Sequence, residues 1–251
     1  MVEIYRRRIQ IAPVGFEVDR VVIPAIKEKA EKVYLMVHKD RSKDKATKYA
    51  AAIQRKLKAK NIETAHDYCD WENIEEITRV ARDLILKESS NEVAINLASG
   101  SKNHAIGLDR ACMTFRKRKH IHPFYPEAEK WTAWKYPKQQ STGVKKIKQI
   151  PIHRVIVPEP ELVIALKAIK QDAVDIPMHK GRKGVKKKDL AKSLYGDSSK
   201  VNLTKLQRNI TQKLEKTWRA VEIIQVGQSD WISLTDEGKY LRYVLKHEET
   251  Y

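Results

Sequence analysis

Asn91-Glu-Val-Ala-Ile-Asn-Leu-Ala-Ser-Gly-Ser-Lys-Asn-His-Ala-Ile-Gly-Leu-Asp-Arg-Ala-Cys-Met113 decides how the chain is read. Val93 to Ala98 is almost unbroken apolar sequence with β-branched members, which suits a strand buried on both faces of a parallel sheet. Ser99-Gly-Ser-Lys102 is a turn, after which Ala105, Leu108, Cys112 and Phe115 follow at helical spacing. Strand, turn and helix in succession aim a helix N-terminus and its free N–H groups at one point. That arrangement attracts phosphate or carboxylate, and Lys102 adds a full positive charge. An ordinary βα turn would use the same residues differently, with Gly100 for its positive φ and Ser99 or Ser101 as the N-cap. Asn96 favours the ligand reading, because it is polar, inside the strand, and close to the C-terminal end where open α/β sheets bind ligands.

The flanking segments repeat the pattern. Arg8 to Ala12 reads as a strand ending at Pro13-Val-Gly-Phe-Glu17, and a helix follows from Val18 or Asp19 to about Ala30, interrupted near Pro24. Val33 to Val37 is a second strand. Lys43 to Lys60 is a helix with Ala46, Ala50, Ile53 and Leu57 on one face. Ile62 to Ala65 is a short third strand, Trp71 to Lys87 a third amphipathic helix, and Ile121 to Tyr125 a fifth strand. Regular β–α alternation with short connections predicts an α/β fold, a doubly wound Rossmann-like parallel sheet. In its commonest topology the fourth strand returns beside the first, and a crevice opens between their C-terminal ends. The turns at Pro13–Glu17 and Ser99–Lys102 would face it. A dinucleotide cofactor fits badly there. The first turn lacks G-x-G-x-x-G and sets bulky Phe16 and anionic Glu17 where a pyrophosphate would approach, so no cofactor is expected. Glu17 instead suits a ribose hydroxyl or base amine.

Fifty Lys+Arg against thirty-two Asp+Glu leave a formal charge of +18 in 251 residues, which favours polyanionic partners. The sequence has no run of eighteen apolar residues and no apolar stretch after Arg6-Arg7-Arg8 suited to a signal peptide, so no membrane association and a cytoplasmic location are expected. Cys69 and Cys112 lack metal-ligand spacing and read as core or free thiols, so no metal is expected.

From Pro126 to Pro158 the pattern weakens. Trp131, Trp134 and Tyr136 lie in a Lys- and Pro-bearing segment read as a hairpin or strap closing the first domain. The expected division is 1–150 for the sensing domain, 151–160 for a linker, and 161–251 for a second domain. There Pro160-Glu-Leu opens a helix. Lys180 to Lys188 reads as a mobile basic loop, and Asp189 as the cap of a helix ending at Gly196. A helix from about Leu203 to Trp218 sets Leu203, Leu206, Ile210, Leu214 and Trp218 toward a core. Val221–Val226 and Trp231–Leu234 form a hairpin around Gly227-Gln-Ser-Asp230, and Thr235 caps a last helix through Leu245. Three helices, a hairpin and a closing helix make a C-terminal winged helix-turn-helix, whose second turn helix enters the major groove of double-stranded DNA. Arg208, Asn209 and Gln212 are candidate base readers. Lys186, Lys187, Lys188, Lys205 and Lys213 are candidate phosphate contacts. The bland alternative is a solvated helix face, or a winged helix serving protein contacts.

Two motifs then resemble one family. Ile11-Ala-Pro-Val-Gly-Phe-Glu-Val-Asp-Arg20 is similar to the strand-one turn of an archaeal branch of CARF-domain winged-helix regulators, in which CRISPR-associated Rossmann-fold domains join a DNA-binding module. Asn96-Leu-Ala-Ser-Gly-Ser-Lys102 is similar to that family's strand-four motif: Asp or Asn, a Ser or Thr two positions on, and a basic residue four beyond. Ala98 departs from it, and Ser99 or Ser101 stands near enough to supply the hydroxyl. The resemblance implies a homodimer whose paired crevices bind a small nucleotide-type effector, such as a cyclic oligoadenylate, through Gly15, Phe16, Glu17, Asn96, Ser99, Gly100, Ser101 and Lys102. No catalytic residue is assigned. The expected function is a ligand-responsive DNA-binding transcriptional regulator. The rivals are a CARF-type nuclease cleaving its cyclic oligonucleotide, with Lys102 stabilising phosphate charge, and a structural RNA-binding protein.

Overall fold

The computed structural model describes residues 5–115, 119–131, 139–151 and 158–245. The chain divides into two units, Met1–Ile156 and Val157–Tyr251. Residues 152–157 of the expected linker, and Trp134 and Tyr136 of the aromatic segment, lie outside the described residues.

In the first unit strands and helices alternate: β1 (Arg8–Pro13), α1 (Asp19–Lys27), β2 (Lys32–His38), α2 (Thr47–Lys58), β3 (Glu63–Cys69), α3 (Ile74–Lys87), β4 (Glu92–Asn96), α4 (Lys102–Met113), β5 (Ile121–Trp131) and β6 (Ser141–Gln149). The strand order is β3-β2-β1-β4-β5-β6, with every neighbouring pair parallel except β5 with β6. The alternation predicts a doubly wound parallel sheet; the sheet is Rossmann-like and mostly parallel, with β6 added antiparallel at its edge, and β4 does return beside β1. Right-handed crossovers put α1 and α2 on one face and α3 and α4 on the other. The two resulting cores hold Ala12, Val21, Leu35, Ile53 and Leu57 on one side, and Ile9, Ile11, Met36, Ile77, Ile85, Ile95 and Leu108 on the other. Strand β1 feeds both, as a central strand must. The third and fifth strands run longer than expected, because β3 pairs with β2 along seven residues and β5 continues past the parallel sheet into a hairpin with β6.

The second unit contains α5 (Pro160–Gln171), β7 (Val174–Asp175), β8 (Lys183–Lys186), α6 (Lys187–Tyr195), α7 (Lys200–Leu206), β9 (Val221–Val226), β10 (Ser229–Leu234) and α8 (Asp236–Val244), with a sheet ordered β7-β8-β10-β9. Leu162, Leu166, Val185, Leu190, Leu206, Ile210, Leu214 and Ile232 form its core. Three local expectations need correction. The basic loop at 180–188 is partly a strand, because Val185 is buried and β8 lies against β10. A Cβ at Gly184 would stand 2.7 Å from the Ile232 carbonyl oxygen, so glycine permits that approach. Lys186, not Asp189, occupies the N-cap of α6, and no side chain caps it; Asp189 lies in the first turn. The hairpin turn is Gly227-Gln228 alone, since Ser229 and Asp230 already pair with Val226 and Gln225.

The expected long helix is present but not uniformly α-helical. Beyond α7 the chain continues through two π stretches, Gln207–Thr211 and Lys213–Thr217. The cause is the spacing of the apolar positions Leu206, Ile210, Leu214 and Trp218. Four residues overshoot an α-helical turn by about 40°, so such a stripe would wind off the core. Wider i→i+5 turns bring it back, and Leu206, Ile210 and Leu214 are buried while Trp218 is half-buried. No described helix is long and apolar enough to cross a membrane.

Candidate functional site

The turns after β1 and β4 meet at the C-terminal edge of the sheet. A Cβ on Gly15 would lie 2.7 Å from the Gly100 nitrogen and 2.8 Å from its Cα, so the turns touch backbone to backbone. Gly100 adopts φ 89°, the left-handed conformation expected of it.

Asn96 is fully buried. Its Nδ2 donates to the Arg20 carbonyl at 2.8 Å, and its Oδ1 accepts from the Ala98 N–H at 3.0 Å and the Ser99 N–H at 3.4 Å. It therefore ties the β4 turn to α1. Read from sequence as a ligand group, Asn96 has its side-chain amide engaged by backbone, as a brace of the turn. Ser99 is 1% exposed, and its hydroxyl has no hydrogen-bond partner among the described residues. Ser101 is the N-cap of α4. Its Oγ accepts from the His104 N–H at 3.4 Å, and the Ser101 N–H donates to His104 Nδ1 at 3.2 Å. That capping box leaves the N–H groups of Lys102 and Asn103 without a partner among the described residues. Lys102 is exposed and makes no ion pair among them.

Glu17 differs from expectation. It is 4% exposed rather than open to the crevice. Its Oε2 accepts from Arg20 Nη1 at 2.9 Å and its Oε1 from the Ser141 hydroxyl at 2.5 Å. Arg20, itself 3% exposed, also donates Nε–H to the Pro126 carbonyl at 2.9 Å and lies over the rings of Tyr125 and Trp131. A ribose therefore meets no free carboxylate oxygen here. Phe16, half-buried, packs on Tyr49 with ring centroids 5.5 Å apart, and its carbonyl accepts from the Gln140 N–H.

Sequence reading missed the β5–β6 hairpin as a wall of this site. Gln139 Oε1 accepts from the Val18 N–H at 3.0 Å, capping α1 from 121 positions away, and the Gly143 N–H donates to Asp19 at 3.1 Å. Only the lack of a local cap at Val18 hints at it. His104, a lone histidine beside a helix start, is a buried part of the turn that opens α4. Its Nδ1 accepts from Ser101, which places the neutral ring's proton on Nε2, a buried atom with no hydrogen-bond partner among the described residues. The ring stands edge-on to Trp71 at 5.4 Å, and Trp71 stands edge-on to His38 at 5.3 Å. Burial, with His38 adding to it, lowers the His104 pKa to about 4.

In the second unit Lys205, Arg208, Asn209, Gln212 and Lys213 are all exposed, opposite the buried Leu206, Ile210 and Leu214. A shallow groove of about 460 Å³ runs along Lys200, Val201, Thr204, Lys205, Arg208 and Asn209. Lys205 Nζ lies 4.7 Å from the Tyr195 ring centroid, and Lys213 Nζ is 3.8 Å from a Glu159 oxygen. The other basic cluster is less free than its composition implies: Lys187 pairs with Asp230 at 3.3 Å and Lys186 lies over Trp231. Lys188 is exposed and unpaired among the described residues.

A family model described as "HFX_2341_N:-like, N-terminal" matches residues 8–131, just under half of the chain. No curated protein matches. Among solved structures, Enterococcus italicus Csm6 bound to cyclic hexa-2'-fluoro-hexa-dAMP is 12% identical over 49% of this chain and 34% of that one, with a TM-score of 0.38. Can2 from Sulfobacillus thermosulfidooxidans in complex with cyclic tetra-adenylate is 11% identical over 92% and 77%, with a TM-score of 0.41. Protein VC1899 from Vibrio cholerae is 13% identical over 94% and 65%, with a TM-score of 0.41. The chain spans about a third of the length of the Csm6 chain.

Proposed function

We propose that the chain is a ligand-responsive, DNA-binding transcriptional regulator of the CARF winged-helix kind, acting as a two-fold dimer. The first unit takes a small nucleotide-type effector at the turn before α4, and the second binds duplex DNA. The observation that carries the reading is the face formed by Lys205, Arg208, Asn209, Gln212 and Lys213. Two ammonium groups, a guanidinium and two amides are held in solvent on one side of a helix packed by its other side. Guanidinium and amide groups make the bidentate contacts that distinguish base edges, while lysines mainly neutralise phosphate. A preceding helix, α6, packs on α7, and a β-hairpin and closing helix follow. Two-fold symmetry would present two such helices to half-sites about one helical turn, or a multiple, apart.

For the effector, Lys102 and the two unpartnered N–H groups at the start of α4 are the donors that suit an anionic group. Asn96, Gly15 and Glu17 act behind them, holding the turns in place. His104, the histidine nearest this turn, is committed to capping and kept neutral, which favours sensing over acid–base cleavage.

The test compares two alanine variants on duplexes enriched by the full chain from a random pool. Arg208→Ala costs about 1–3 kcal/mol on the preferred sequence and relaxes discrimination there. Lys188→Ala weakens all duplexes alike and lowers the salt slope by about one. Equal loss for both variants on every sequence would reduce the face to a non-specific polyanion site; no binding at low salt would end the proposal.

A further inference from the structure

We propose that Val201 and Thr204 form a reader of the thymine 5-methyl group, setting part of the operator sequence. This rests on the duplex-binding reading above and adds to it a specificity element that the polar readers do not supply.

Val201 is 76% exposed, on the first turn of α7. A β-branched residue is a poor helix former and gains nothing from water, so this position carries a cost with no packing return. Thr204 lies three residues on, on the same face. It is exposed too, but its hydroxyl donates to its own helix at the Lys200 carbonyl, at 2.9 Å. That leaves the methyl group as its outward chemistry. Isopropyl and methyl groups thus sit side by side in the groove, with Lys200 and Lys205 beside them and Arg208 and Asn209 one turn further. Asn202, the neighbouring amide, is withdrawn from the face, because its Nδ2 donates to Asp197 at 2.8 Å. Lys205 is drawn over Tyr195. The side chains of Arg208 and Asn209 make no hydrogen bond or ion pair among the described residues.

The occupant must therefore be anionic and carry small apolar groups next to hydrogen-bonding edges. Residues 200–213 include four Lys/Arg and no Asp or Glu, so the charge match is to a polyanion and not to a mixed protein surface. The major groove of DNA offers this combination. Thymine presents its methyl there, and guanine or adenine presents the acceptors and donors suited to Arg208 and Asn209. RNA offers neither the methyl group nor an open major groove.

The experiment uses the full chain and duplexes enriched from a random pool, with each thymine replaced singly by deoxyuridine, which removes only the methyl. Burial of one such group predicts about a fourfold loss of affinity at one position in each half-site. Val201→Ala should bind the thymine and uracil duplexes alike, and Val201→Ile should keep the preference. Because Val201 is 76% exposed, these variants should fold as the parent does, which circular dichroism checks. If uracil is tolerated at every position while Arg208→Ala still loses affinity, DNA reading stands and the methyl reader is wrong. If no duplex is enriched, or RNA duplexes bind equally well, both proposals fall.

Discussion

Glu17→Gln separates a structural role for this carboxylate from a ligand-binding one. The substitution removes the charge facing Arg20, leaving a guanidinium that is 3% exposed without its counter-ion. The side-chain amide retains one oxygen, which can accept from Arg20 or from Ser141 but cannot serve both as the carboxylate does at 2.9 Å and 2.5 Å. Breaking one side of a buried ion pair costs about 3–5 kcal/mol. Stacking of Arg20 on Tyr125 and Trp131, and its bond to Pro126, keep the arginine from swinging out to water, so little relief is available. Taking about 3 kcal/mol, and about 2–4 °C per kcal/mol for a unit of this size, the melting temperature should fall by roughly 10 °C. Calorimetric melting of the full chain reads this, with the first-unit transition moving and the second unchanged. A variant melting within about 1 °C of the parent would refute the buried pair and return Glu17 to the crevice as a ligand acceptor.

Gly15→Ala should destabilise the first unit by about 1–3 kcal/mol, read by urea titration, because its Cβ would meet the Gly100 backbone at 2.7 Å with nothing flexible to yield. Gln139→Ala should cost about 1 kcal/mol as the loss of the α1 cap, a result local sequence gives no reason to expect. His104 sets a pH dependence: its folded pKa of about 4 lies below its unfolded value, so the unfolded state binds the extra proton between those values. The stability is fully present above about pH 6.5 and declines as pH falls toward 4, and His104→Asn should flatten that part of the stability profile.

The parallel sheet was legible because its signals are local: apolar strands, amphipathic helices and turn residues recur in order from Arg8 to Phe115. The return of β4 beside β1 followed from the commonest doubly wound arrangement, with handedness and short connections limiting the alternatives. What escaped depends on distant partners. Glu17 read as a crevice acceptor, and nothing local pairs it with Arg20 three positions on. Ser141, Pro126 and Tyr125, from a hairpin over one hundred positions away, bury them. Lys183-Gly-Val-Lys186 read as a loop by composition, since nothing local reveals that β10 covers Val185. The π stretches were legible in principle, in the repeated four-residue spacing from Leu206 to Trp218, a period that an α-helix cannot keep on one face.

The claim that the two units are linked through an effector is tested most directly by duplex-binding anisotropy of the full chain with cyclic tetra-adenylate titrated in. If the parent takes cyclic tetra-adenylate as its nucleotide-type effector, that effector should change duplex affinity by about 5–150-fold, the usual range of coupling between sites. Lys102→Ala, which loses a charge-assisted hydrogen bond worth about 1.5–3 kcal/mol, should need roughly ten to one hundred times more effector for the same change while binding DNA normally without it. Duplex affinity indifferent to the effector, or a response identical in parent and Lys102→Ala, would contradict the account.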